Sequence, residues 1–167
     1  MSTTICFDFG NTRLKAAIFK GNQLEKLELL ENDGIASVQK LLDQYQPSKT
    51  LLSSVIHHDK AIESLLTSYG PFHLLGPQTK LNFTTPVGKP ETIGADRLGL
   101  VAAAVDLYPN QHSLVICLGT CITYNFVNNR GQFLGGSISP GMQMRFKSMN
   151  DLTALLPLID PAPSFGL

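Results

Sequence analysis

Apolar and polar residues alternate from the start of the chain. Ile5, Phe7 and Phe9 fall on one side of an extended segment and Cys6 and Asp8 on the other, the period of two that marks a strand. Leu14 to Phe19 and Gln23 to Leu30 continue it as a meander turned at Gly21-Asn22. The period then lengthens: Ile35, Val38, Leu41, Leu42 and Tyr45 share a helical face, and Pro47 ends the helix. Thr50 to Ile56 is β-branched and leucine-rich, as a strand buried on both faces would be. Asp59 to Ser68 predicts a second helix with Ile62, Leu65, Leu66 and Tyr69 inward, and Phe72 to Leu75 a further strand. Three strands followed by helix, strand, helix and strand predict an α/β chain, a mixed sheet with helices against it.

Residues 76–92 hold Pro77, Pro86, Gly88 and Pro90 without clear periodicity, as a loop that carries function or crosses a cleft would. Ile93-Gly94-Ala95-Asp96-Arg97 opens a helix with Leu98, Val101, Ala102 and Val105 as its stripe, closed by Pro109, so Asp96 and Arg97 occupy its first turn. A second hairpin starts at Ser113. Leu134 to Gly141 then predicts a sharp turn that presents N–H groups at the start of a helix from Met142 to Leu155, stopped by Pro157. Pro157, Pro161 and Pro163 crowd the end, and Phe165-Gly166-Leu167 adds no further element. The expected division is a first lobe over 1–110 and the start of a second over 111–167, cut short relative to the first.

The hairpin at the start has a second copy about 110 positions later. Ile5-Cys6-Phe7-Asp8-Phe9-Gly10-Asn11-Thr12 and Val115-Ile116-Cys117-Leu118-Gly119-Thr120 each run an apolar strand into a Gly/Thr corner and a returning strand. Two such corners facing each other would floor a bilobed cleft with N–H groups, hydroxyls and a carboxylate, which is what phosphate and a hard metal ion require. In the first copy Asp8 is the candidate metal ligand, Gly10, Asn11 and Thr12 the phosphate donors, and Lys15 a cation within reach. A plain hairpin turn, with Asp8 capping loose N–H groups and Lys15 solvated, accounts for the first copy alone; the second copy is what favours a site.

The second corner offers Gly119, Thr120 and Thr123, but Cys117 where the first has Asp8. A thiol is a poor ligand for a hard cation, so this side suits phosphate or a monovalent ion. Asp96-Arg97 joins a candidate base to a fork of donors, as phosphoryl transfer to the hydroxyl of an anionic acceptor needs; an acidic residue in a first helical turn also simply suits the dipole.

Thirteen basic residues balance thirteen acidic ones, so no global field draws the chain to nucleic acid or an anionic membrane. The three cysteines sit in apolar runs and are an odd number, which suits a reducing, cytoplasmic setting rather than a disulfide scaffold. No apolar run approaches the ~20 residues of a membrane span. None of the four histidines has zinc spacing, and no Walker or Rossmann glycine run is present.

Four blocks in order, Asp8-Phe9-Gly10-Asn11-Thr12-Arg13-Leu14-Lys15, Gly94-Ala95-Asp96-Arg97, Gly119-Thr120-Cys121-Ile122-Thr123 and Gly135-Gly136-Ser137-Ile138-Ser139-Pro140-Gly141, followed by Thr153-Ala154-Leu155-Leu156-Pro157, resemble the type III pantothenate kinases. The resemblance implies an actin-like ATPase (ribonuclease H-like) fold of the actin, sugar kinase and Hsp70 group, and ATP-dependent phosphorylation of pantothenate, the first step to coenzyme A. It also implies Mg²⁺, a monovalent cation (K⁺ or NH₄⁺) and a homodimer. By family motif Asp8 falls on the Mg²⁺/phosphate carboxylate, Asp96 on the catalytic base, and Arg97, Gly94 and Thr153 on the pantothenate side. Gly119, Thr120 and Thr123 fall on the second phosphate and monovalent-ion segment. Three features depart from the family: aspartates usual at Cys117 and Asn125 are absent, a tyrosine is missing near Phe83-Thr84-Thr85-Pro86, and members are longer. Another small-molecule kinase of the superfamily, or a non-catalytic nucleotide-binding regulator, are the alternatives.

Overall fold

Alternation decides the first sheet. In the computed structural model, which describes residues 2–32 and 34–160, β1 (Thr3–Phe9) turns back into β2 (Leu14–Lys20) and then β3 (Gln23–Leu30). β4 (Lys49–Ser54) and β5 (Phe72–Leu74) join on the other side, giving the order β3-β2-β1-β4-β5, with β1, β4 and β5 parallel and the meander antiparallel. Gly21 makes the β2–β3 turn at φ +57°, a left-handed conformation that suits glycine.

Ile5, Phe7 and Phe9 face α1 (Ile35–Tyr45) and α2 (Lys60–Tyr69). With Ile18, Val38, Leu42, Leu52, Ile62 and Leu66 they form the first core, each worth about 1.5–3 kcal/mol of burial. Asp59 caps α2, its carboxylate accepting from the Ala61 N–H at 2.8 Å. His58 ties the end of β4 to that helix, with Nδ1 2.9 Å from the Ser54 hydroxyl and Nε2 3.0 Å from Glu63 Oε1. One predicted inward residue, Ile35, the first of α1, is exposed, and burial on that helix begins at Val38.

The second sheet has three antiparallel strands in the order β6 (Ser113–Leu118), β7 (Cys121–Val127), β8 (Phe133–Pro140). β8 corrects an expectation. Residues 134–140, read as a sharp turn, are extended and paired with β7, and only Gly141 breaks away, as the N-cap of α4 (Met142–Asp151). Their glycines serve close approach instead of turning. Gly135 adopts φ +118° at a register shift opposite Phe126, and a side chain at Gly136 would overlap the Tyr124 carbonyl. α4 is also shorter than expected, ending at Asp151 rather than Leu155, and buries none of its residues. The expectation that Phe165-Gly166-Leu167 adds no element falls outside the described residues.

The proline-rich stretch 76–92 docks on the second sheet. The Thr84 N–H donates to Gly131 O at 3.0 Å, the Phe133 N–H to Thr84 O at 2.8 Å, and Phe83 stacks edge-on against Phe133. Around Phe133 a second core gathers Ile93, Leu98, Val101 and Val127, with Leu81, Phe83, Val87 and Val105 packed on it. Helix α3 (Ala95–Leu107) contributes Leu98 and Val101 to it and packs on β4, β6 and β7, which joins the two sheets.

Candidate functional site

β1 delivers Asp8 to its carboxyl end on the face opposite Phe7 and Phe9. Lys15 is its cross-strand partner on β2 and Ser53 its partner on β4. Burial pushes the Asp8 carboxyl above the usual carboxylate range; Lys15 pulls it down, Asp96 pushes it up again and the Ser53 hydroxyl pulls it down. Ser53 is 7% exposed, and its hydroxyl has no partner of ordinary hydrogen-bond geometry among the described residues. A buried oxygen so placed beside a carboxylate is a donor in reserve. Nothing singled Ser53 out in the sequence; its place in register with Asp8 is a tertiary fact.

Beyond Asp8 the chain turns on Gly10, whose N–H donates to Arg13 O at 3.2 Å. The second corner repeats the device: the Gly119 N–H donates to Cys121 O at 3.0 Å. The two corners touch, since the Thr12 and Thr120 hydroxyls hydrogen-bond to each other at 2.5 Å. Gly141 locks the second corner from behind, its N–H donating to Thr120 O at 3.0 Å, and a side chain there would overlap the carbonyls of the corner.

Asp96 enters from α3. Gly94 is the N-cap, where a side chain would press on the Asp96 carboxylate. Burial, then Asp96 and Asp8, push the Cys117 thiol above its usual range while Lys15 pulls it down, so the thiol is neutral near pH 7. Asp8, Lys15, Asp96 and Cys117 therefore lie within one another's fields. A cavity of about 350 Å³ lies along the first corner, lined by Gly10, Asn11, Thr12, Arg13, Leu29 and Ile56 among others. None of Asp8, Lys15, Asp96 and Thr120 lines it, so it flanks the corner and is not the space between the two.

Arg97 turns the other way, onto the inner face of the second sheet. Its Nε donates to Asn125 Oδ1 at 2.6 Å, and its guanidinium carbon sits 5.7 Å from the centre of the Phe133 ring. Thr123 is buried and its hydroxyl accepts from Asn125 Nδ2 at 3.3 Å. Thr153 lies beyond α4, exposed, donating to Met149 O at 2.7 Å, and no described contact joins it to the Asp96 turn. The sequence flagged Arg97 but not the Phe133 ring that packs on it.

Metal donors can be judged from this set. One buried carboxylate at Asp8, the spare Ser53 oxygen and the nearby Asp96 suit Mg²⁺, which takes one or two carboxylates and completes its shell with water and substrate phosphates. Among the described residues no group of three or more His, Cys, Asp or Glu side chains forms an all-protein cage. Around Thr123 the neighbours are a neutral thiol and an amide, which do not make a charged monovalent-cation site.

The family model for type III pantothenate kinase matches residues 4–166. The chain belongs to the type III pantothenate kinase family. A type III pantothenate kinase of Christiangramia forsetii is 40% identical over 96% of this chain and 67% of its own length. One of Porphyromonas gingivalis is 37% identical over 97% of this chain and 66% of its own. The chain thus spans about two thirds of the length of these relatives. A Bacteroides thetaiotaomicron protein of actin-like ATPase fold and unknown function superposes with a TM-score of 0.48 at 9% identity, covering 90% of this chain and 76% of that one. Membership agrees with the two sheets seen here, each opened by an antiparallel hairpin, with the corners of the two hairpins in contact through Thr12 and Thr120. Among the described residues of this family member no helix is long and apolar enough to cross a membrane.

Proposed function

We propose that the protein transfers the γ-phosphoryl group of ATP to the primary hydroxyl of pantothenate. The observation that carries this reading is the contact between the Thr12 and Thr120 hydroxyls, because it brings two N–H and hydroxyl corners to one point, beside two carboxylates of different surroundings. The corners donate to the phosphates through Gly10, Asn11, Thr12, Gly119 and Thr120, and Lys15 adds a positive charge. Mg²⁺, held by Asp8 with Ser53 beside it, supplies charge neutralisation of the phosphates when bound.

Asp96 orients the acceptor hydroxyl and takes its proton as the new P–O bond forms. Arg97, one residue on, holds the acceptor carboxylate, which fixes the distance between that anion and the reacting hydroxyl. Gly94 leaves the room that Asp96 needs, and Thr153 belongs to the acceptor side. A homodimer belongs to the same reading. Thr123, with the Cys117 thiol and the Asn125 amide as neighbours, takes part as a hydroxyl and not as a monovalent-cation ligand.

The test is production of ADP and phosphopantothenate from ATP, Mg²⁺ and pantothenate. ADP formed only with pantothenate present supports the reading, and turnover only with other alcohols points to a different kinase of the superfamily. A second reading, a nucleotide-binding protein without turnover, draws on the neutral Cys117 thiol within the fields of Asp8 and Asp96. ATP binding by calorimetry with no ADP formed under any acceptor favours it.

A further inference from the structure

The turn between β4 and α2 carries a histidine that the site described above does not use. His58 Nε2 lies 3.0 Å from Glu63 Oε1, and Nδ1 lies 2.9 Å from the Ser54 hydroxyl. A carboxylate only accepts, so Nε2 carries the proton and Nδ1 of the neutral ring accepts from Ser54. The Lys60 ammonium, 2.7 Å away, and the His58 ring hold the Glu63 carboxyl below the usual carboxylate range against an upward push from burial, which keeps that acceptor charged at neutral pH. The ring also meets Phe9 edge-to-face, centroids 6.0 Å apart, and its side chain is 9% exposed. One residue thus ties together β1, β4 and α2.

The same turn reaches both halves of the reacting site. The Val55 N–H donates to Phe9 O at 3.0 Å, next to the first corner, and Val55 Cγ1 would stand 3.7 Å from a Cβ on Gly94, the N-cap of α3. Ile56 lines the cavity along the first corner with Gly10, Asn11, Thr12 and Arg13. Residues 55 and 56 therefore bridge the strand end that carries Asp8 and the helix start that carries Asp96.

We propose that His58 is a positioning residue for the phosphotransfer: it pins this turn so that Val55 and Ile56 act as a strut between the first corner and the start of α3, which fixes Asp96 in relation to Asp8. This rests on the phosphotransfer reading above. A shift of about 1 Å in a reacting group can cost up to ~10²-fold in rate, whereas the donors that bind the phosphates sit on other residues. Loosening the pin therefore acts on kcat more than on KM.

The experiment measures kcat and KM for ATP and pantothenate, with Mg²⁺ present, in wild type, His58→Leu, His58→Gln and Glu63→Ala, each rate taken per folded molecule from circular dichroism. His58→Leu is expected to lower kcat by about tenfold and to leave both KM values within about twofold. His58→Gln, which keeps one acceptor and one donor, is expected to recover most of that loss. Glu63→Ala should lower kcat in the same way, and adding it to His58→Leu should do little more, because both act through one clamp. A lower melting temperature with kcat unchanged in His58→Leu, or a change in KM alone, overturns the positioning role and leaves the phosphotransfer reading standing. Wild-type protein that forms no ADP with pantothenate overturns that reading and this proposal with it. Should His58→Leu fail to fold, Glu63→Ala decides by the same criterion.

Discussion

The two corners share a backbone and differ in charge. At the first, Asp8 and Lys15 face each other across β1 and β2; at the second, the matching cross-strand pair is Cys117 and Thr123, with no charge at all. Asymmetry extends outward. The first sheet is backed by two helices and a closed core, whereas β6 leaves Leu114, Ile116 and Leu118 exposed on its outer face. One backbone device can thus serve two tasks: an N–H and hydroxyl corner receives phosphate at either place, and the flanking strand position decides whether metal charge is held there too. A hairpin repeat therefore foretells a phosphate cleft more safely than it foretells where its cation sits.

The largest effect is expected at the carboxylate that both corners adjoin. Asp96→Asn should leave ATP binding nearly intact and cut turnover by about 10²-fold or more, read in steady-state kinetics beside calorimetric nucleotide titration. Undiminished turnover would remove Asp96 from the mechanism. Next in size, Gly136→Ala should destabilise the protein by about 1–3 kcal/mol, because the new methyl meets the Tyr124 carbonyl across the β7–β8 ladder; urea unfolding measures it, and a neutral result would mean that β8 does not lie against β7 as described.

A smaller effect separates the charged corner from the neutral one. The folded pKa of Asp8 is raised, so its ionised form is penalised in the native protein. That penalty is absent below the ordinary carboxylate value, grows as pH rises to the raised folded value, and is constant above it. Metal-free Asp8→Asn should therefore melt higher than wild type at neutral pH, with the difference shrinking as pH falls, while Mg²⁺-dependent turnover is lost. Equal melting temperatures at every pH would refute the assignment of burial as the dominant influence on Asp8. Cys117→Asp should do the reverse at the second corner, lowering metal-free stability at neutral pH by adding a like charge near Asp8 and Asp96.

The smallest effect probes the contact itself. Thr12→Val and Thr120→Val should each cost about 0.5–1.5 kcal/mol, and the double variant should cost clearly less than their sum, because one hydrogen bond is lost once. Full additivity would mean that the corners do not meet in solution.

Much of this was legible before any coordinates. Period-two alternation in β1 put Asp8 on the face opposite Phe7 and Phe9, and the Gly/Thr spacing marked both corners, since strand parity and turn chemistry are local. β8 was not legible. Gly135, Gly136 and Pro140 carry every local sign of a turn, and what makes that stretch a strand is the β7 carbonyl row that only glycine can approach so closely. Nor did the proline-rich 76–92 segment announce that Phe83 and Thr84 would be held by Phe133 and Gly131, because its order comes from a partner some fifty positions away.

Sequence by itself determined the elements of the first sheet, the two corners and the roster of charged groups between them, all of which follow from neighbours within a few residues. Tertiary structure alone decided that Thr12 meets Thr120, that Ser53 lies hidden beside Asp8, and that Arg97 is anchored on Asn125 over Phe133. Those juxtapositions come from how α3 packs between the two sheets, and packing is a property of surfaces that no local pattern encodes.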